Sequence, residues 1–372
     1  MILGIEIGGT KLQLGVGSGE GPELLALERF DVDARRGAAG ILEQIERARR
    51  ALIERYSVTR LGFGFGGPVD AAAGRVTKSH QITGWDGFEL GAWCRTHVGL
   101  TPTIGNDCDV AALAEARYGA GCGRGSVFYV TVGTGVGGGF VCGGRLHGAN
   151  RPAVAEIGHL RPGPLADWPE ATVESLASGN GLAEAARSRV FGQPSRVLPL
   201  LTRGPGDSAT AHTTLARSAS EDDQSPRLRF GLQSIHVPSG PTAVDTAEEI
   251  ARQELRQRVG GDPTRLSAKL LAEAAAAGNS LARGILRDGC RVLGWAIAQV
   301  ITLLAPEIVV VGGGVSGWGS AGSEDLFLVP LREEVRRYVF PPLADSYELV
   351  PAALGELVVV HGAIALAASS GT

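Results

Sequence analysis

Two glycine-rich turns, about 120 residues apart, constrain this chain more than any other feature. The first is GIEIGGTK, residues 4–11; the second is TVGTGVGGG, residues 131–139. Each follows a run rich in β-branched residues, Ile2–Ile7 and Val127–Val132, and each leads into another apolar run. That order reads as strand, tight turn, strand, written twice. One such turn is a hairpin. Two of them, both ending in a Gly/Thr nest of backbone N–H groups, describe the halves of a cleft that closes on a polyphosphate.

The rest of the pattern fits two halves. Strands are expected at Ile2–Ile7, Leu12–Val16, Leu24–Phe30, Leu61–Phe65 and 102–104. Helices are expected at 37–56, where Ile41, Ile45, Ala48 and Leu52 recur at helical spacing, at 87–98, and from Asn106-Asp107 to about 118. Gly119–Gly125 makes a link, and the pattern restarts at Ser126 with strands Val127–Val132, Gly137–Cys142 and one near Arg145. Helices at Arg265–Ala277 and Ser280–Leu304 follow, then a strand Ile308–Val311, a helix near 325–338, a strand near 347–350 and a last helix 356–369. The final helix is expected to pack back on the first half. Residues 191–245, rich in Ser, Pro, Gly, Thr and Arg, read as a long surface insertion.

The 372 residues suffice for two domains and two cores. A net charge of −4 leaves no basic stripe for nucleic acid. The five cysteines, Cys94, Cys108, Cys122, Cys142 and Cys290, form no C-x-x-C pair and are odd in number, which reads as reduced thiols in a cytoplasm. No apolar run reaches membrane length, and a strand at the N-terminus argues against a targeting segment. Lysine occurs only at Lys11, Lys78 and Lys269, so a lysine inside the first turn stands out.

In that turn Gly8 and Gly9 let backbone approach a phosphate, Thr10 offers a hydroxyl and Lys11 a charge. Glu6, at the strand end, is placed to hold Mg²⁺ through water. Alone, the turn reads as a plain hairpin; the second turn, with Thr131, Gly133, Thr134 and Gly135, shifts the balance. Its G-x-G-x-x-G spacing, Gly133 to Gly138, fails as a dinucleotide fingerprint because a strand follows it. Gly312-Gly313-Gly314-Val315-Ser316 makes a third loop at a strand C-terminal end, where α/β sheets bind ligands. Asp107 opens an Ala-rich helix. On residues alone a helix cap is the better reading; the functional one is a carboxylate that takes a proton from an alcohol. Glu156 and His159 lie close in sequence, with Glu174 beyond, and such groups suit sugar hydroxyls. With no cysteine between Cys142 and Cys290, a local thiolate-rich zinc site is disfavoured.

Together these pieces resemble the ROK family of sugar kinases and repressors. The matching runs are GIEIGGTK (4–11), GFGFGGPVD (62–70), GWDGFEL (84–90), GNDCDVAALAEARYGAG (105–121), TVGTGVGGG (131–139), AEIGH (155–159), APEIVVVGGGV (305–315) and HGAIALA (361–367), nearly the whole chain except 191–245. The resemblance implies an α/β, two-domain, actin-like (ribonuclease H-like, hexokinase-type) ATPase fold with a central cleft. Residues 1–119 with 355–372 would form one domain and 120–354 the other. It implies that the first two turns are phosphate loops and that Gly312–Gly314 is the adenosine loop. Asp107 is then the general base, and Gln81, Asn106, Asp107, Glu156, His159 and Glu174 are the sugar-contacting positions.

The implied reaction is ATP- and Mg²⁺-dependent phosphorylation of a hexose, with glucose first. Alternatives are a fructokinase, an N-acetylhexosamine kinase, or a sugar-binding or sensing protein without turnover. The chain departs from the family pattern at four places. Gln81 stands where the family usually has Asn, and Glu6 stands for the commoner Asp. The 191–245 insertion is extra. Leu160–Val173 lacks the cysteines of the family's C-x-C-x-x-x-x-C zinc segment, so zinc is expected to be absent. Repressor members carry a helix-turn-helix ahead of the phosphate loop; this chain starts at that loop, and no repressor role is expected. A homodimer is the family's common assembly and carries over as an expectation.

Overall fold

The computed structural model describes residues 1–79, 81–148, 151, 153–162, 171–193, 243–314 and 324–369. Most of the expected insertion, 194–242, lies outside the described residues, as do Val315 and Ser316. The first part of the chain runs β1 (Ile2–Ile7), β2 (Lys11–Gly17), β3 (Leu24–Asp31), α1 (Gly37–Tyr56), β4 (Arg60–Phe65), β5 (Val69–Asp70), β6 (Arg75–Val76), α2 (Leu90–His97), β7 (Pro102–Asn106) and α3 (Asp107–Tyr118). The second runs β8 (Ser126–Val132), β9 (Val136–Cys142), β10 (Arg145–Leu146), α4 (Val173–Ala177), α5 (Gly179–Phe191), α6 (Ala243–Arg258), α7 (Ala268–Ala276), α8 (Ser280–Leu304), β11 (Ile308–Gly312), α9 (Val329–Tyr338), β12 (Glu348–Pro351) and α10 (Val358–Ser369).

The strands form two five-stranded sheets of the same design, ordered β3-β2-β1-β4-β7 and β10-β9-β8-β11-β12. In each, an antiparallel meander lies beside parallel strands reached by crossover. Alternation decides which face of β1 meets what. Leu3, Ile5 and Ile7 join Ile41 and Ile45 of α1 in one core. The opposite face carries Gly4, and its neighbours in β4 are Gly62 and Gly64; α10 lies directly on these three glycines. The second sheet does the same with Gly137 and Gly139 of β9, which receive Cys108 and Ala112 of α3. So α3 lies on the second sheet and α10 on the first, and the two helices cross between the sheets where Gly362 meets the Val110 carbonyl. The long apolar α8 is the centre of the largest core, with α4, α5, α6, α7 and α9 around it.

Several expected bounds shift for local reasons. The helix expected from 87 begins at Leu90, because Gly87 is left-handed at φ +69°. The helix expected from Arg265 begins at Ala268, where the Ser267 side chain accepts the Leu270 N–H as a cap. The helix near 325–338 opens with a wide turn, Glu324–Leu328, before α9 starts with a proline in its first turn. The small β5–β6 ribbon and helices α4, α5 and α6 were not foreseen.

Candidate active site

The first strand turn, the start of α3 and the third glycine loop meet around one cavity of about 440 Å³ between the sheets. That is within the roughly 300–1,000 Å³ typical of small-molecule sites. Glu6 and Lys11 come from the first sheet, Asp107 and Cys108 from α3, and Thr131 and Gly312–Gly314 from the second sheet. The lining is mixed: Tyr129, Val311, Pro351, Ala352, Val358 and Val359 are apolar, and Glu6, Lys11, Asp107 and Glu356 are charged.

Glu6 sits two residues past Gly4 on the same face of β1, level with the start of α10. Lys11 Nζ is 3.2 Å from Glu6 Oε1 and donates to the Glu356 carbonyl at 3.2 Å, tying the turn to the segment before α10. Gly8 N–H closes the turn on the Lys11 carbonyl at 3.0 Å. Gly9 lies under the Gln81 side chain, whose Oε1 occupies the place a Cβ would take; Thr10 is exposed. Burial pushes the Glu6 carboxyl up to about 7, against the pull of Lys11. The folded state therefore binds this proton more tightly than the unfolded chain. Ionised Glu6 costs stability progressively from about pH 4.5 to 7, with a ceiling of about 3 kcal/mol. Glu6→Gln is accordingly expected to melt higher than the parent at pH 8, with the gap closing by pH 5. Melting curves at the two pH values check this; a gap of the same size at both would rule it out.

At α3 the cap is Asn106, one residue earlier than the cap reading of Asp107. Its Oδ1 accepts from the N–H groups of Cys108 (2.8 Å) and Asp109 (3.4 Å), and its amide donates to the Gly67 carbonyl at 3.0 Å. Most of its polar capacity is thus used by the protein. Asp107 is the first helical residue, partly buried, and its Oδ1 accepts the Cys108 N–H at 2.8 Å. Burial holds its carboxyl above the ordinary range, while hydrogen bonds from Cys108 and Asn106 pull it down.

The remaining expected sugar positions lie beside this cavity and do not line it. Glu156 follows Ala155, a non-glycine residue held left-handed at φ +58°. Its carboxyl is raised first by burial and then by Asp107 and Glu174, and is lowered by His159, so the four groups share one electrostatic neighbourhood. His159 is exposed at the end of a short turn, Ile157–His159. Glu174, in the first turn of α4, accepts the Val136 N–H at 2.9 Å and so braces the second glycine turn. In that turn Gly133 N–H donates to the Gly135 carbonyl (2.9 Å), the Gly133 carbonyl accepts from Gly179 N–H (2.8 Å), and Thr134 is exposed. Gly313 is left-handed at φ +95°, and a Cβ there would strike the Val132 backbone at 2.5 Å. The third loop therefore needs this glycine to turn against the second.

Sequence reasoning missed the wall from Pro351 to Val359, which no motif marks, and Asp109. One Asp109 oxygen is buried without a hydrogen-bond partner, and burial, then Glu156 and Asp107, push its carboxyl up to about 7. Magnesium suits the donors at the cavity: Glu6 and Asp107 give hard carboxylate oxygens, few enough to leave most coordination to water and phosphate. Among the described residues no group of three or more His, Cys, Asp or Glu is arranged to hold a metal. The expectation about zinc concerns 160–173, of which 163–170 lie outside the described residues. All five cysteines are free. No helix among the described residues is long and apolar enough to cross a membrane.

The model of the family described as ROK family matches residues 2–225 and 247–370. The glucokinase of Thermotoga maritima is 26% identical over 368 residues, covering 98% of this chain and 96% of that protein. The beta-glucoside kinase of Listeria innocua is 32% identical over 165 residues, 44% of this chain and 54% of that protein. A solved ROK family glucokinase from Streptomyces griseus, in complex with glucose and AMPPNP, is 25% identical and superposes with a TM-score of 0.72 over 99% of each chain. The paired sheets are thus the actin-like ATPase fold.

Proposed function

The chain belongs to the ROK family, and we propose that it transfers the γ-phosphate of ATP to a hydroxyl of a hexose, with glucose the preferred sugar. The observation that carries this reading is the position of Asp107. It stands at the start of α3, on the wall of a cavity whose other walls carry Glu6, Lys11 and the loop Gly312–Gly314. The relatives matched over nearly their whole length are glucokinases, which supports glucose.

In this reading Asp107 takes the proton of the sugar hydroxyl as that oxygen attacks the γ-phosphorus. The bond from phosphorus to the bridging oxygen breaks, and ADP leaves with the electron pair. Lys11 offsets the phosphate charge, together with N–H groups of the two turns other than those of Gly8 and Gly133, which close the turns themselves. Magnesium, when bound, would neutralise the phosphates as a Lewis acid, with Glu6 holding its water shell. Gln81, Asn106, Glu156, His159 and Glu174 orient the sugar, Glu174 with one oxygen already committed to Val136 N–H. The proposed division into 1–119 with 355–372 and 120–354 is supported by the packing of α10 on β1 and β4; α3, though early in the chain, packs on β8 and β9.

A coupled ADP-release assay over glucose, mannose, fructose, N-acetylglucosamine and β-glucosides tests the reading. Glucose is expected to give a kcat/KM at least about tenfold above the other sugars, the size of one well-used pocket contact. A β-glucoside in first place would move the assignment toward the partial relative. Sugar binding without ADP release from any of them would establish the non-catalytic alternative instead.

A further inference from the structure

One row of residues crosses the first sheet from open solvent to the cavity. Arg29 of β3 stands directly opposite Gln13 of β2, and Gln13 directly opposite Glu6 of β1. The row continues through Gly64 of β4 and Gly105 of β7, which have no side chains and are covered by α10 and α3. Side chains directly opposite each other on one face are within reach. Arg29 is exposed, whereas Gln13 and Glu6 are 2% and 6% exposed. Gln13 is thus a buried polar side chain inside a strand, between the apolar Leu12 and Leu14, and it does not line the cavity. An amide has a donor end and an acceptor end, and its surroundings assign them. With its NH₂ group toward β1, Gln13 donates to Glu6 Oε2 at 2.8 Å, and its oxygen accepts from Arg29 Nε at 3.2 Å; the other way round, acceptor would face acceptor and donor would face donor. Glu6 Oε1 meets Lys11 Nζ at 3.2 Å. Both oxygens of this carboxyl are therefore held, each by a different residue of β2.

We propose that Gln13 is a positioning residue for the phosphate-transfer site: it fixes the direction in which Glu6 presents its carboxyl to the cavity. A glutamate side chain is long and freely jointed, so one held oxygen leaves it able to pivot, whereas two held oxygens leave one arrangement. Lys11 is itself tied to the Glu356 carbonyl, which makes the first contact a fixed one. Without Gln13, Glu6 turns about that contact and offers the water shell of a phosphate-bound Mg²⁺ no fixed oxygen. The inference rests on the kinase reading for what Glu6 faces, and on the hydrogen bonds alone for the hold of Gln13 on Glu6.

Binding of a non-hydrolysable ATP analogue, titrated with and without Mg²⁺, tests this without any turnover. In the parent, Mg²⁺ is expected to tighten the analogue; a parent that gains nothing from Mg²⁺ overturns the proposal. Gln13→Met is expected to lose at least about fivefold of that gain while its metal-free affinity stays within about twofold of the parent, as a coupling confined to one neighbour should. In a Glu6→Gln background the same change is expected to move the gain by less than about twofold, because Gln13 acts through the Glu6 carboxyl alone. Equal losses in the two backgrounds, an undiminished gain in Gln13→Met, or a lower melting temperature with both affinities reduced alike each overturn the proposal and leave the kinase reading standing. The expected losses in a protein that phosphorylates none of the sugars would do the reverse: they remove the kinase reading and keep the hold of Gln13 on Glu6. If Gln13→Met does not fold, Arg29→Met at the exposed end of the row decides. It frees the amide oxygen and is expected to lose at least about twofold of the gain, and no loss overturns the proposal.

Discussion

Asp107→Asn is expected to lower turnover by roughly 10²–10⁴-fold while leaving ATP binding in place. The substitution keeps shape and keeps an oxygen for the Cys108 N–H, and Asn106 remains the helix cap, so α3 is undisturbed. What is lost is a group able to accept a proton. Because burial raises this carboxyl, the parent's activity should climb with pH along an acid limb above the ordinary carboxylate range. The sign for stability is opposite. A raised carboxyl stabilises the fold only while protonated, and that contribution fades as pH rises through its folded value. The Asn variant should therefore melt no lower than the parent at neutral pH. Steady-state rates, a nucleotide-binding titration and melting curves together check the claim. A residual rate within tenfold of the parent would remove Asp107 from the role of base.

Gly362→Ala is expected to be the most damaging single methyl group in the fold, costing about 3 kcal/mol or more. On propensity alone it should help, since alanine exceeds glycine inside a helix by about 1 kcal/mol. Here the added Cβ would lie 1.9 Å from the Val110 carbonyl oxygen and 2.3 Å from its carbon, both backbone atoms that cannot rotate aside. Helix α10 would have to leave α3, and with it Gly4, Gly62 and Gly64, where it lies on the first sheet. Gly284→Ala is the control. It is the same change inside α8, with no atom nearer than 4.0 Å, and is expected to stabilise by about 0.5–1 kcal/mol. Chemical denaturation of both variants reads the difference; equal effects would mean the helix crossing is not close-packed.

These glycines show where the sequence could be read and where it could not. Turn glycines declare themselves by their flanking strands, so the loops at Gly8, Gly133 and Gly312 were legible. A glycine inside a strand, such as Gly62 or Gly137, is explained only by the helix that covers it, and that helix comes from a distant part of the chain. Asp107 carried the opposite difficulty: on residues alone it read as the cap of α3, and the backbone puts Asn106 there instead. Glu115 looks like an ordinary helical charge. It ends a run of six consecutive buried residues, Val110–Glu115, so no amphipathic stripe marks it in the sequence. The cavity lining from Pro351 to Val359 has no local pattern, because the cavity it helps to enclose exists only once both sheets are in place.

The lid on the first sheet has a consequence for how the protein is made. By residue 106 all five strands of that sheet have been synthesised, yet the helix that covers its glycine-lined face begins at Val358, about 250 residues later. At ribosomal rates of roughly 5–20 residues per second, the sheet waits tens of seconds with that face open. Its native packing cannot be completed by its own residues, so the first half of the chain to emerge is among the last to settle. A nascent chain halted before α10 should carry a sticky, unfinished sheet, and it is at this stage, rather than in the finished enzyme, that the protein is most exposed to chaperones and to aggregation.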